Sequence, residues 1–184
     1  IKSMKKTLIP VLIMALLLSA SCKKDEAPDT RGTVTIDNTT TLGSTTYYVY
    51  GFLFSTASKV TTRDTPRPDI TVDSDGTSIL FMTENERNSF YLAGDYNDAS
   101  SAKTAFDNLT SATVAENLWT GLATPLKENQ VWIYRAGSRT SGNDHYAKLR
   151  IISLKTGPGD IKPFASCTFE WQYQSDGTLT FPAK

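Results

Sequence analysis

The sequence predicts a mainly β protein, a single antiparallel β domain with one or two short helices. Three observations carry that prediction. Within the 11-residue segment Phe164 to Gln174, apolar and polar residues alternate from Ala165 onward. Several other short runs are dense in aromatic and β-branched residues, which strands prefer. Asp-Gly pairs at Asp75-Gly76 and Asp176-Gly177 supply the tight turns that join antiparallel strands.

Taken in order, the first candidate strand is Thr33 to Asp37, a short alternation. Thr45 to Ser55 (TTYYVYGFLFS) follows, rich in Tyr, Phe and Val, and reads as one strand. Ile70 to Asp73 and Ser78 to Met82 flank Asp75-Gly76 and form a predicted hairpin. Asp73-Ser74-Asp75-Gly76 also looks like part of a calcium loop, but lacks the third oxygen position and the distal Glu such loops require. Ser89 to Leu92, Gln130 to Arg135 and His145 to Leu154 are further strand candidates.

In Phe164 to Gln174, Ala165, Cys167, Phe169, Trp171 and Tyr173 share one face. Ser166, Thr168, Glu170, Gln172 and Gln174 share the other, as in a strand with one buried and one wet side. This places the Cys167 thiol inward and makes its role structural. Ser175-Asp176-Gly177 then turns the chain into Thr178 to Phe181, a predicted terminal hairpin. The middle of the chain is helical instead: Ala102, Ala105, Phe106 and Leu109 make a stripe at i, i+3, i+4, i+7, with Asp98 or Ser100 as cap. Thr113 and Glu116 stand at capping-box spacing and predict a second short turn.

The chain has 184 residues, with 19 basic and 19 acidic side chains. The total hides an asymmetry. Residues 1–21 hold three lysines and no acid, so the remaining body carries 16 basic and 19 acidic side chains. A mildly acidic body excludes nucleic acid as a partner, because phosphate neutralisation needs a clustered basic excess. Residues 1–21 read as a secretory signal: Lys5-Lys6, the apolar run Leu8 to Leu18, then Ser19-Ala20-Ser21. That run of 11 residues falls short of the roughly 20 needed to span a bilayer.

Cys22 follows directly. Ser19-Ala20-Ser21-Cys22 resembles the lipobox of bacterial lipoproteins, with Leu18 one place further from the Cys than usual. The resemblance implies cleavage before Cys22 and lipidation of its thiol and amino terminus, more than one chain, as stable anchoring requires. Residues 22–32 are polar and read as a flexible tether, and 33–184 as the β-rich domain. Lys23-Lys24-Asp25-Glu26 after the Cys is similar to surface lipoproteins of Bacteroidetes-type bacteria, which implies an outer-membrane, cell-surface location. With Cys22 lipidated, Cys167 has no partner for an intramolecular disulfide.

Three segments carry a second likeness: Lys127 to Tyr134 (KENQVWIY), Tyr146 to Ile152 (YAKLRII) and Thr168 to Gln174 (TFEWQYQ). With the Asp176-Gly177 turn, and with Phe52 to Thr56 and Asp69 to Val72 in the N-terminal part, they resemble the HmuY-type lipoproteins of Bacteroidetes. The resemblance implies an all-β fold that binds haem and passes it to an outer-membrane receptor. Family members hold haem iron between two axial side chains drawn from His and Met. The exported body has one of each, His145 and Met82, and a His/Met pair is a known axial set. Alternatively the fold keeps a pocket for another planar or apolar ligand, lined by Tyr47, Tyr48, Trp132 or Tyr134.

A single His excludes a His-rich metal centre. No phosphate loop, nucleophile elbow or zinc-type cluster is present. Glu84 and Glu86 share a face if extended, yet nothing marks them as an acid/base pair. The expectation is a non-enzymatic binding protein. The alternative function is a surface scaffold or accessory lipoprotein that contacts a partner protein or glycan.

Overall fold

A computed structural model describes residues 30–85, 87–137 and 144–183. Cys22, the signal, nearly all of the tether and most of the loop after Gly137 lie outside the described residues. The strands are β1 (Arg31–Asp37), β2 (Thr41–Leu42), β3 (Tyr47–Tyr48), β4 (Tyr50–Leu53), β5 (Ser58–Thr61), β6 (Thr71–Ser74), β7 (Ile79–Met82), β8 (Phe90–Asp95), β9 (Gln130–Ala136), β10 (His145–Gly157) and β11 (Phe164–Gln174). One α-helix, α1 (Ala99–Asn108), lies between β8 and β9.

The main sheet has the order β1-β11-β10-β9-β8, antiparallel throughout, and β2–β3, β4–β5 and β6–β7 are separate hairpins. The mainly β expectation is met. β11 occupies the predicted span, and Ala165, Cys167, Phe169 and Trp171 of its inward set are buried as predicted, with Cys167 and Phe169 fully inaccessible. Tyr173 at the strand end is only half-buried. Hairpins β4–β5 and β6–β7 close over this face. Phe52 and Phe81 each meet Phe169 edge-on, at centroid distances of 6.1 and 5.3 Å. Trp132, Tyr134, Leu149, Ile151 and Trp171 complete the main core. The Asp75-Gly76 turn joins β6 to β7 as expected: the Asp75 carboxylate accepts the Thr77 and Ser78 N–H groups, and Gly76 takes φ +89°.

Helix α1 starts where its cap predicted. The Asp98 side chain accepts the Ser101 N–H at 2.8 Å, and Ala102 and Phe106 are buried. The helix packs on the sheet face opposite the main core, against β8, β9 and β10. A smaller apolar cluster of Trp119, Ile133 and Phe181 lies on that side. β9 is consequently buried along its whole length.

Several expectations are corrected. The strand begins at Arg31 rather than after residue 32: Arg31 pairs with Gln172 and Gly32 with Trp171, so the tether ends sooner. A Cβ on Gly32 would sit 3.3 Å from the Trp171 indole nitrogen, so a larger residue here would press on that ring. Thr45 to Ser55 is not one strand. Its residues split between β3 and β4, which pair with different partners, and Phe54–Thr56 form a 3₁₀ turn closed by Ala57 at φ +51°. Thr113 is not a cap: a 3₁₀ turn, Glu116–Leu118, starts from Ala115 without a side-chain cap.

The wet face of β11 is in part covered too, with Ser166 and Gln172 buried; the Gln172 amide donates to the Pro182 carbonyl at 2.9 Å. The terminal hairpin does not form, because β1 and β10 already occupy both edges of β11. The tail instead crosses to residues 110–112, where Phe181 N–H bonds Thr110 O and Ala112 N–H bonds Leu179 O.

Candidate functional site

At one end of β9 a cleft of about 270 Å³ opens, lined by Arg67, Pro68, Asp69, Thr83, Glu84, Asn85, Tyr134 and Gly137. Period-2 alternation sends Tyr134 to the core face, and its ring is buried against Phe54 and Phe90. Only its hydroxyl reaches the cleft. That hydroxyl donates to the Asp69 carbonyl at 2.9 Å and lies 3.1 Å from the Thr83 hydroxyl. The Asn85 amide bonds the Arg135 carbonyl at 3.2 Å and takes the Ser89 hydroxyl at 2.9 Å. Arg67 and Glu84 form an ion pair at the rim.

The Asp69 carboxylate accepts the Phe54 N–H at 2.8 Å. Burial nevertheless raises its pKa to about 6, against the opposing pull of that bond and of His145. Burial also lifts the phenol of Tyr134 well above its ordinary value. For Tyr173, burial, with Asp69 adding to it, raises the phenol to about 12. Nothing in the cleft is a poised nucleophile. The arrangement offers the Tyr134, Thr83, Asn85 and Asp69 groups to a bound molecule, with the Arg67–Glu84 ion pair at the rim.

His145 and Met82 flank this cleft and do not line it. His145 pairs with Ala136, the residue before Gly137, and its ring lies 6.1 Å from that of Tyr173. Its Nδ1 lies 2.8 Å from the Ser175 carbonyl. A carbonyl only accepts, so that nitrogen carries the proton, leaving the Nε2 lone pair for a ligand. Met82 ends β7, one residue before Thr83, and is 39% exposed. The described contacts thus give His145 one backbone partner and leave the Met82 thioether exposed, without bringing the two side chains into contact.

The four aromatic candidates do not form one pocket. Trp132 and Tyr134 belong to the core, whereas Tyr47 is 59% exposed and Tyr48 half-buried on the β2–β3 hairpin. Glu84 is held by Arg67, and Glu86 lies outside the described residues. Asp73 bonds Asn38 and Lys162 rather than facing Asp75 as a cation site would need. Burial pushes the Cys167 thiol far up, consistent with an inert core residue. Among the described residues, no group of three His, Cys, Asp or Glu side chains is placed to hold a metal ion.

Asp69 and Asn85 escaped the sequence reading. Both stand in loops, where neither periodicity nor a motif marks a residue, and their role arises from packing against β9. A second opening, of about 460 Å³, lies beside edge strand β8 and is apolar, with Leu92, Leu118 and Leu122 exposed around Trp132. No protein-family model, curated protein or solved structure matches this chain.

Proposed function

We propose that this protein is a lipid-anchored lipoprotein of the outer membrane, facing the cell surface, that binds haem or a similar planar ligand without chemical conversion and yields it to a membrane receptor. The observation that carries the reading is His145 beside the Tyr134 cleft, its Nδ1 committed to Ser175 and its Nε2 without a hydrogen bond among the described residues. In this reading His145 and Met82 hold the iron, which supplies affinity and an optical signature. Asp69, Asn85 and Tyr134 orient the polar edge of the ligand. The resemblance to HmuY-type lipoproteins and the Ser-Ala-Ser-Cys22 segment support the location and the ligand class.

Haemin titration of the purified full chain in detergent tests the ligand. A Soret shift is expected, lost in the His145→Ala/Met82→Ala double variant. No shift, or a shift unchanged in that variant, rejects these ligands. Labelling with radioactive palmitate tests the anchor: Cys22→Ser should abolish incorporation.

The exposed leucines beside β8 favour the competing reading, a scaffold that contacts a partner protein. That reading predicts partner recovery from outer-membrane extract that survives loss of His145 and Met82.

A further inference from the structure

A second groove, sharing no lining residue with the Tyr134 cleft, occupies about 410 Å³ between the end of β1 and the β2–β5 hairpins. Ile36, Asp37, Thr39, Thr41, Tyr50 and Lys59 line it. Most of the aromatic rings of this protein are packed into its cores. Tyr50 is left 43% exposed on the wall of the groove. Its ring is held edge-on by Tyr48 at 5.8 Å between centroids, and the Arg63 guanidinium lies 5.9 Å from the Tyr48 centroid on. An exposed ring braced by a neighbour that is itself held by Arg63 is partly ordered before anything binds, which lowers the cost of binding to it.

The polar groups around that ring are small, mixed and available. Asp37 gives one carboxylate oxygen to the Thr39 N–H at 2.9 Å. Among the described residues, Lys59 makes no ion pair and the Thr41 hydroxyl no hydrogen bond. The lining holds one anion and one cation, so it attracts neither sign of ligand. Such a wall, part ring face and part donors and acceptors, is matched by a molecule that has C–H faces and many hydroxyls but no charge.

We propose that the Tyr50 groove binds a neutral glycan, with one sugar ring stacked on Tyr50 and its hydroxyls bonded by Asp37, Thr41 and Lys59. The negative face of a phenol ring attracts the polarised C–H groups of a pyranose, while the surrounding donors and acceptors meet its hydroxyls. This inference does not rest on the haem reading, because the two sites use different residues.

Native gels of the full chain in detergent, cast with dextran, mannan, xylan or hydroxyethylcellulose, test it. Retardation by at least one of these is expected. Tyr50→Ala should weaken the apparent affinity at least about tenfold, which is about 1.4 kcal/mol. Tyr50→Phe keeps the ring face and should retain binding. Lys59→Ala changes only an exposed side chain and should weaken binding even if Tyr50→Ala fails to fold. Retardation by none of the four, retardation only by an anionic polymer such as heparin, or full retardation of folded Tyr50→Ala would overturn the proposal. Haemin titration of the same variants should match the parent, which separates failure here from failure of the haem site.

Discussion

The two faces of the five-stranded sheet are buried by different chemistry. One face is closed by hairpins and is almost wholly apolar, with Phe52, Phe54, Phe81, Phe169 and Trp171 in mutual ring contact. The other is closed by α1, the 110–119 segment and the tail, and polar side chains are trapped beneath them. Lys148 is 1% exposed there. Its ammonium donates to the Phe106 and Leu109 carbonyls at 2.6 and 2.9 Å and lies over the Phe106 ring. These are carbonyls at the C-terminal end of α1, where a cation is electrostatically favoured and acceptors lack intrahelical partners. Arg135 is treated similarly: Glu116 holds it in a forked pair at 2.7 and 2.9 Å, and Trp119 stacks on its guanidinium at 4.4 Å. An apolar face gains stability from area. A polar face gains position, since Lys148 and the terminal nitrogens of Arg135 are each held by particular partners, although the buried Arg135 Nε has none among the described residues.

The sharpest way to break this contrast is a truncation in the apolar face. Phe169→Ala leaves a cavity among rings that cannot all collapse, and should lower unfolding free energy by about 3–5 kcal/mol in urea titrations. A loss below about 1 kcal/mol would show that the hairpins close over the gap and that the face is loosely packed.

The next effect belongs to Lys148. Lys148→Met keeps most of the stem but leaves two helix-end carbonyls without a donor, and should cost about 1–3 kcal/mol. It should also alter the pH profile. Burial lowers the Lys148 pKa from 10.5 to about 8, against the pull of Asp107 and Glu170. Between those values the unfolded chain holds the proton that the folded chain has released. Stability therefore rises with pH through that window, and below it the burial cost is fully present. The parent should gain stability from pH 8 towards 10.5, and Lys148→Met should lose that increment. Identical profiles would mean that the amine is better solvated than its burial implies.

The smallest change is at the entrance of the helix that covers this face. Asp98→Ala removes the bond to the Ser101 N–H and should cost about 1 kcal/mol. Amide exchange should quicken in the first turn of α1, while β11 amides next to β10 keep their protection. Equal loosening in both would show that the helix and the apolar core unfold as one unit.

Legibility in the sequence follows the same division. β11, the β6–β7 hairpin and α1 were readable because each is stabilised by a pattern within a few residues: period-2 burial, an Asp-Gly turn, a capped apolar stripe. The tail was misread because local turn chemistry at Asp176-Gly177 is compatible with a hairpin, whereas pairing is decided by whether an edge of β11 is vacant. The candidate cleft was half legible. His145, Met82 and Tyr134 belong to recognisable strands, but Asp69 and Asn85 enter from loops, and no spacing announces them. Tyr48 and Tyr50 look like any strand aromatics until the hairpin pairing leaves Tyr50 on an open wall.

By itself the sequence determined which segments extend, which one coils and which side chains of β11 turn inward, because those outcomes depend on neighbours within a turn or a strand. Only the tertiary structure decided that Lys148 and Arg135 are buried, that the tail joins residues 110–112, and which residues border the three openings. Each of those outcomes depends on contacts between segments tens of residues apart, and no short-range pattern encodes which distant surface arrives to make them.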